Sequence, residues 1–279
     1  MSFIRELPSG KSQIIKDRAF CTLLHNQLPP KGKLLTDVLV EFDSTILKKE
    51  NTISKGALSN VHGDWYEWLL AISAWNFCCK NKNAHVPLLM PNISQFDVAK
   101  LYIPKLQNLI IDLRNKVEQA SDVKLITSNP DFVILSREIF NKLSSKTKPI
   151  NRITVNTIYR LNKFYSIFAD KCDFEDIIGY LSVKTSLRPD RRLQIPHEGS
   201  LMKAIYTHLQ TREWIINPPG LKFFAISTKI NPADRQALKT VATHSITTVS
   251  SLPQAAVDDV YEINSINQAN KVFKSVLFQ

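Results

Sequence analysis

Glycine is scarce, with 7 residues in a chain of 279, about a third of average usage. None of the seven (10, 32, 56, 63, 179, 199 and 220) falls in a GxGxxG or GxxxxGK[ST] pattern. A glycine loop cradling a nucleotide phosphate is therefore excluded, as are collagen-like and low-complexity classes. Cysteine is also sparse. The 4 residues, at 21, 78, 79 and 172, form no CxxC and no ladder of metal spacing. Reduced thiols in a cytoplasmic protein are the expectation. No HExxH occurs, because His197-Glu198 runs on into Gly199-Ser200-Leu201; zinc hydrolysis is disfavoured. Met1–Lys11 carries both signs of charge and no apolar run, so no signal peptide is read there. The most apolar stretch, Trp68–Phe77, is broken by Ser73 and Asn76 and is too short to span a bilayer.

Positive charge is what the sequence has in excess. Lys and Arg number 36 against 25 Asp and Glu, a net +11. Such a balance favours a polyanionic partner, nucleic acid first. The excess is uneven: Arg137–Lys163 holds seven basic residues (137, 142, 146, 148, 152, 160 and 163) against one acid, Glu138. That stretch is either a phosphate-tracking surface or a solvated helical face.

Hydrophobic periodicity predicts helices over Lys11–Asn26 and Leu34–Lys49, separated by the breaker at 28–32. A third helix is predicted from Asp64, with Trp65, Trp68, Leu69, Ile72 and Trp75 on one broad face. A strand follows at His85–Met90, then a long helix capped by Ser94, with Asp97 at the capping-box position, to about Val117. Val123–Thr127 and Asp131–Leu135 read as strands joined by Ser128-Asn129-Pro130. A helix-rich insertion, 137–172, contains the amphipathic run Ile153–Ala169. Ile177–Thr185 reads as a central strand covered on both faces. A loop is expected over Ser186–Pro196, a helix over Glu198–Gln210, and strands at Trp214–Ile216 and Leu221–Ser227. Pro253–Asn264 and Asn267–Leu277 are expected to be helical. The class is α/β, with a mixed central β-sheet flanked by helices. One domain over 1–279 is expected, with a helical N-terminal subregion, 1–60, and a core, 61–279.

Five features carry candidate chemistry. Asp131 enters a strand from a turn, a place where Asp also occurs for turn geometry alone. Ser182 and Lys184, two apart on the central strand, share a face. A lysine there needs a negative partner unless it reaches solvent at an edge. Glu198, fourteen residues after Lys184, opens the next helix, where a glutamate also suits the helix dipole. Glu67 follows Asp64 at capping-box spacing, so both also admit a structural role. The fifth feature is Arg188-Pro189-Asp190-Arg191-Arg192, either a charged surface loop or a reader of C and G. Arginine matches guanine O6/N7 bidentately, and aspartate accepts from cytosine N4.

Asp131, then Ser182-x-Lys184, then Glu198 is similar to the acid, acid-x-Lys arrangement of PD-(D/E)XK nucleases, with Ser182 in the place of the second acid. The order, with Glu198 displaced to the next helix, resembles the type II restriction endonucleases that recognise a CCGG core, above all those reading RCCGGY. Gly63–Trp68, Ser128–Phe132, His197–Lys203, His208–Arg212 and Leu238–Ser245 extend the similarity from about Gly63 to Asp258. The first sixty residues resemble nothing placed. The resemblance implies a restriction-endonuclease-like core and Mg²⁺-dependent hydrolysis of double-stranded DNA at RCCGGY, after the first base, leaving 5′ overhangs. It implies Asp131 and Glu198 as metal ligands, the Val183 carbonyl as a possible third, Lys184 as the catalytic lysine, Ser182 as the vacated acid position and Glu67 as a further acid. Arg188, Asp190 and Arg191 would read the CCGG core. A homodimer or homotetramer is implied, with Trp214 and Arg212 in the region where dimers meet; read by itself, Trp214 is equally a core aromatic. A cognate DNA methyltransferase is implied as a genetic companion, and no membrane. Two other readings remain at this point: a non-cleaving DNA-binding protein on a nuclease fold, and a repair or junction nuclease. Other CCGG-core specificities share the same readers.

Overall fold

The computed structural model describes residues 2–8, 10, 12–144, 147–246 and 253–279. A hairpin of β1 (Ile4–Glu6) and β2 (Ser12–Ile14) precedes α1 (Lys16–Leu23), α2 (Leu35–Lys49) and the long α3 (Lys55–Lys80). Then come β3 (Val86–Leu89), α4 (Pro104–Ser121), β4 (Phe132–Leu135), α5 (Arg137–Leu143), α6 (Val155–Lys163), β5 (Ile177–Lys184) and α7 (Pro189–Arg212). The chain closes with β6 (Lys222–Ser227), α8 (Pro232–Leu238), the short α9 (Thr243–Ile246), β7 (Asp259–Glu262) and α10 (Ile266–Val276).

Five strands form a mixed sheet in the order β3-β4-β5-β6-β7. The first two pairings are antiparallel and the last two parallel. β3 and β4 are buried at every position. Their unbroken apolar runs, Val-Pro-Leu-Leu and Phe-Val-Ile-Leu, are what a strand covered on both sides requires. α3 packs along β3 and β5 and against α10. Trp65, Tyr66 and Leu69 of α3 are wholly buried, and the Tyr66 hydroxyl donates to the Ile263 carbonyl at 2.6 Å. α7 connects the parallel strands β5 and β6, as a βαβ crossover. Leaving the C-terminal end of β5, the chain enters α7 within a few residues. The first turn of α7 is thereby set close to Lys184. Glycine is required at two points of this unit. A Cβ on Gly179 would stand 2.4 Å from the Lys222 carbonyl oxygen, and one on Gly199 2.2 Å from that of Ala256.

Several expectations are corrected. Ser186–Pro196 is not a loop throughout, since α7 starts at Pro189 and runs through Pro196. Pro189 at N1 after Arg188 is a start signal. Pro196 withholds one amide from the helical ladder without ending the helix. Residues 259–262 of the expected Pro253–Asn264 helix form β7, because pairing with β6 satisfies their backbone. Val123–Thr127 and Trp214–Ile216 are not strands. The 94–117 helix is instead a 3₁₀ turn, Val98–Leu101, capped by Asp97, then α4 starting at Pro104. The third helix starts at Lys55, capped by Ser54 rather than Asp64. The N-terminal part is not helical throughout: β2 takes the start of the Lys11–Asn26 segment, of which Lys11 lies outside the described residues.

Candidate active site and DNA interface

Asp131 stands one residue before β4. Register puts Phe132 opposite Leu181, which sets Asp131 beside Ser182 and Val183. The Val183 amide donates to Asp131 Oδ2 at 2.5 Å. The Lys184 ammonium reaches the same carboxylate, at 2.7 Å to Oδ2 and 3.0 Å to Oδ1. The turn that delivers Asp131 is riveted by Asn129. Its amide nitrogen donates to the carbonyls of Pro91 and Phe96 at 2.7 and 2.6 Å, and its oxygen accepts from the Val98 amide at 3.0 Å.

Glu198 comes from α7 and is 4% exposed. Its Oε1 accepts from the Ser128 hydroxyl at 3.0 Å and from the Gln194 amide at 2.8 Å. Its Oε2 is buried with no partner. Burial pushes the Glu198 carboxyl up in pKa, against the pull of Lys184 and Gln194. Glu67, half-buried on α3, is held well above the usual carboxylate range by burial and by the Asp131 charge. Lys184 therefore sits among Asp131, Glu67 and Glu198. Burial pulls its ammonium down, yet the three carboxylates more than compensate and raise it. A depressed lysine acting as proton acceptor is not what this arrangement gives; Lys184 stays a cation. Ser182 is wholly buried, with no partner for its hydroxyl.

A buried carboxylate oxygen without a partner is a costly feature that binding a cation would relieve. Among the described residues no three His, Cys, Asp or Glu side chains are gathered as a closed metal cage. Two carboxylates nevertheless suit a hard divalent ion that keeps several waters and takes phosphate oxygens as its remaining ligands.

Arg188, Asp190 and Arg191 occupy the N-cap and first turn of α7. Arg188 donates to Asp190 at 3.2 Å, and both side chains are largely exposed. Arg191 donates to Gln194 at 3.0 Å. Arg192 plays a different part, pairing at 2.7 Å with the buried Asp234 of α8. One helix thus presents donors and an acceptor outward at its start and inserts Glu198 among the acids two turns later.

The basic insertion divides as well. Arg137 is withdrawn from it, since its guanidinium donates to the carbonyls of Ala84, Cys78 and Asn81 around the end of α3. Lys142, Lys148, Arg152, Arg160 and Lys163 remain exposed, while Lys146 lies outside the described residues. Tyr159 and Lys163 border a cavity of about 300 Å³ that reaches Asp64 and Glu67. Asp64 itself pairs with Lys16. Trp214 is 89% exposed, with Ile216 beside it at 88%, so it is no core aromatic. Its φ of 57° marks the turn that ends α7. Arg212 lies 4.0 Å from Asp112. Sequence reading passed over Ser128 as a contact and Gln194 altogether. Helical spacing, 194 to 198, was the available signal.

A mixed five-stranded sheet with an acid–lysine pair at the β4/β5 end and a glutamate on the crossover helix defines the restriction-endonuclease-like class of nucleases. A profile of the Cfr10I/Bse634I restriction endonuclease family matches residues 2–279, and the chain belongs to that family. It is 44% identical over 249 residues to the type II restriction enzyme Cfr10I of Citrobacter freundii, covering 88% of this chain and 87% of that one. The crystal structure of the type IIF restriction endonuclease Bse634I with cognate DNA superposes with a TM-score of 0.89 at 31% identity, over 99% of this chain and 97% of that one. A further Bse634I structure gives 0.88. The protein is accordingly a type II restriction endonuclease, a DNA-cleaving hydrolase, and a divalent metal cofactor is implied by the family. The non-cleaving and junction-nuclease readings fall away. Among the described residues no helix is long and apolar enough to cross a membrane.

Proposed function

We propose that this enzyme is a Mg²⁺-dependent endonuclease that cuts double-stranded DNA at RCCGGY after the first base, leaving 5′ overhangs. The observation that carries the reading is the double use of α7, with Arg188, Asp190 and Arg191 at its start and Glu198, beside Asp131 and Lys184, two turns on. Asp131 and Glu198 hold the metal in this reading, with the Val183 carbonyl as a third ligand. A divalent ion there supplies charge for the developing phosphorane and acidifies water. Lys184, kept cationic by its acidic neighbours, orients the attacking water and stabilises negative charge on the phosphate. Glu67 is a further carboxyl beside Asp131, raised in pKa by burial and by the Asp131 charge, and a bound cation would favour its ionised form. Ser182 leaves its strand position without a carboxylate, so Glu198 supplies one from the next helix. Arg188 and Arg191 take guanines and Asp190 a cytosine, each such contact discriminating by about 1–3 kcal/mol. The exposed cations of the 142–163 region track the backbone.

A palindromic site is read one half per subunit, and the whole chain, 1–279, acts as one unit in a homodimer or homotetramer. Trp214, with Arg212 nearby, is the proposed contact between dimers. Such exposed apolar side chains, Trp214 and Ile216 together, suit a second copy. In a homotetramer, Trp214→Asp is then expected to halve the mass seen by analytical ultracentrifugation and leave the melting temperature unchanged, whereas a homodimer keeps its mass. The protein works in a bacterial cytoplasm beside a methyltransferase that protects the same site. Digesting plasmid DNA with purified protein and Mg²⁺, then sequencing the ends, tests specificity. Discrete fragments beginning CCGGY are expected; a smear, or ends of another sequence, refutes it.

A further inference from the structure

Gln194 stands between the two halves of α7's task. Arg191 Nη1 donates to Gln194 Oε1 at 3.0 Å, and Gln194 Nε2 donates to Glu198 Oε1 at 2.8 Å. The direction of both bonds is forced by chemistry. A guanidinium only donates and a carboxylate only accepts, so the amide must turn its oxygen to Arg191 and its nitrogen to Glu198. Ser128 donates to the same Glu198 oxygen at 3.0 Å. Two donors thus hold one oxygen, and the other, Oε2, is left buried and unpartnered.

The geometry points to Gln194 as a positioning residue that couples base readout to metal binding, holding Glu198 so that Oε2 is presented to the metal only when Arg191 is in place. The inference rests on reading Arg191 as a base reader and Glu198 as a metal ligand. Arg191 has five N–H donors, so a bidentate contact to guanine leaves donors for Gln194. An Arg191 fixed on guanine fixes the amide, and the amide fixes the carboxylate. An Arg191 that misses its base leaves the relay loose. Partners behind a metal ligand typically change metal affinity or activity by about 10–100-fold when removed. By linkage, DNA and metal must then strengthen each other equally.

Gln194 is exposed, so Gln194→Met and Gln194→Ala are expected to fold, which thermal melting checks. Fluorescence anisotropy of a duplex containing ACCGGT gives affinity in EDTA and in Ca²⁺, a metal probe that replaces Mg²⁺. For the wild type, Ca²⁺ tightens this duplex more than one with an altered core. In either variant the affinity in EDTA stays within about twofold, whereas the Ca²⁺-dependent tightening falls by about tenfold. The Mg²⁺ concentration for half-maximal single-turnover cleavage rises to match. An unchanged tightening and Mg²⁺ midpoint overturn the relay and leave the reading of the site intact. Equal weakening on every duplex in EDTA also overturns it, since Gln194 then serves docking alone. A wild-type protein that neither binds nor cuts the duplex overturns both.

Discussion

Lys184 with Asp131 and Lys203 with Asp258 are ion pairs of the same residue types, each at 2.7 Å. Their surroundings differ. Lys203 meets the Ala255 carbonyl at 2.7 Å besides its aspartate, and Asp258 also accepts from the Phe223 amide at 2.7 Å. That pair ties α7 to β6 and to the chain entering β7. Lys184 contacts Asp131 and feels the charges of Glu67 and Glu198, and around it Glu198 Oε2 and Ser182 Oγ lack partners. A structural pair is closed in charge and hydrogen bonds. The candidate site gathers three carboxyls around one lysine, two of them raised in pKa by burial, a crowding that a bound cation would relieve. Lys203 belongs to α7, whereas α7 meets the other pair through the charge of Glu198 on Lys184.

The largest effects should separate the two pairs by kind. Lys184→Met is expected to lower single-turnover cleavage by about 10²–10³-fold or more, the scale of losing a donor aimed at developing charge. Adding EDTA is expected to abolish cleavage and, after Mg²⁺ is restored, to let it return. Lys203→Met should instead strike stability, by about 3–5 kcal/mol in urea unfolding, because it strands a partly buried aspartate. Lys184→Met strands Asp131, at 16% side-chain exposure against 26% for Asp258, so both variants should lose stability, and cleavage by the folded protein is what separates them. If folded Lys203→Met loses as much single-turnover cleavage as Lys184→Met, the distinction fails. Next comes Gly199→Ala, where a Cβ meets the Ala256 backbone at 2.2 Å. Overpacking of about 1–3 kcal/mol is expected, with a fall in cleavage as Glu198 moves with the helix. The smallest effect concerns Glu198→Gln. Removing the charge from a buried carboxylate whose Oε2 has no partner should raise the melting temperature by about 2–4 °C in differential scanning calorimetry while cleavage is lost. No such gain is available to Asp258→Asn, which should lower it.

Much of the site was legible because its parts lie in short segments. Asp131 with its turn and Lys184 on its strand are local patterns, and their spacing to Glu198 is a linear quantity. Boundaries were less so. The apolar run of β5 predicts a covered strand, whereas β7, a short half-buried strand, shows itself only through its pairing with β6. Pro196 reads as a breaker, yet α7 tolerates it because one missing amide costs less than the packing of α7 against its neighbours retains. Arg137 counts as positive surface in sequence, but its guanidinium is spent on the end of α3. Basic residues of identical type divide by whether a carbonyl lies in reach, and composition carries no such information.

The sequence by itself favoured a polyanionic partner, through +11 of charge, and supplied the candidate site residues, because an acid, a strand lysine and a displaced glutamate are covalent facts of the chain. Only the tertiary structure decided which charges are answered. Strand register set Asp131 against Val183 and Lys184, close approach at Gly199 seated α7, and the helix brought Gln194 between Arg191 and Glu198. Those outcomes depend on distances between segments far apart in the chain, and a carboxylate is structural or poised for a metal according to what stands within about 3 Å of each oxygen.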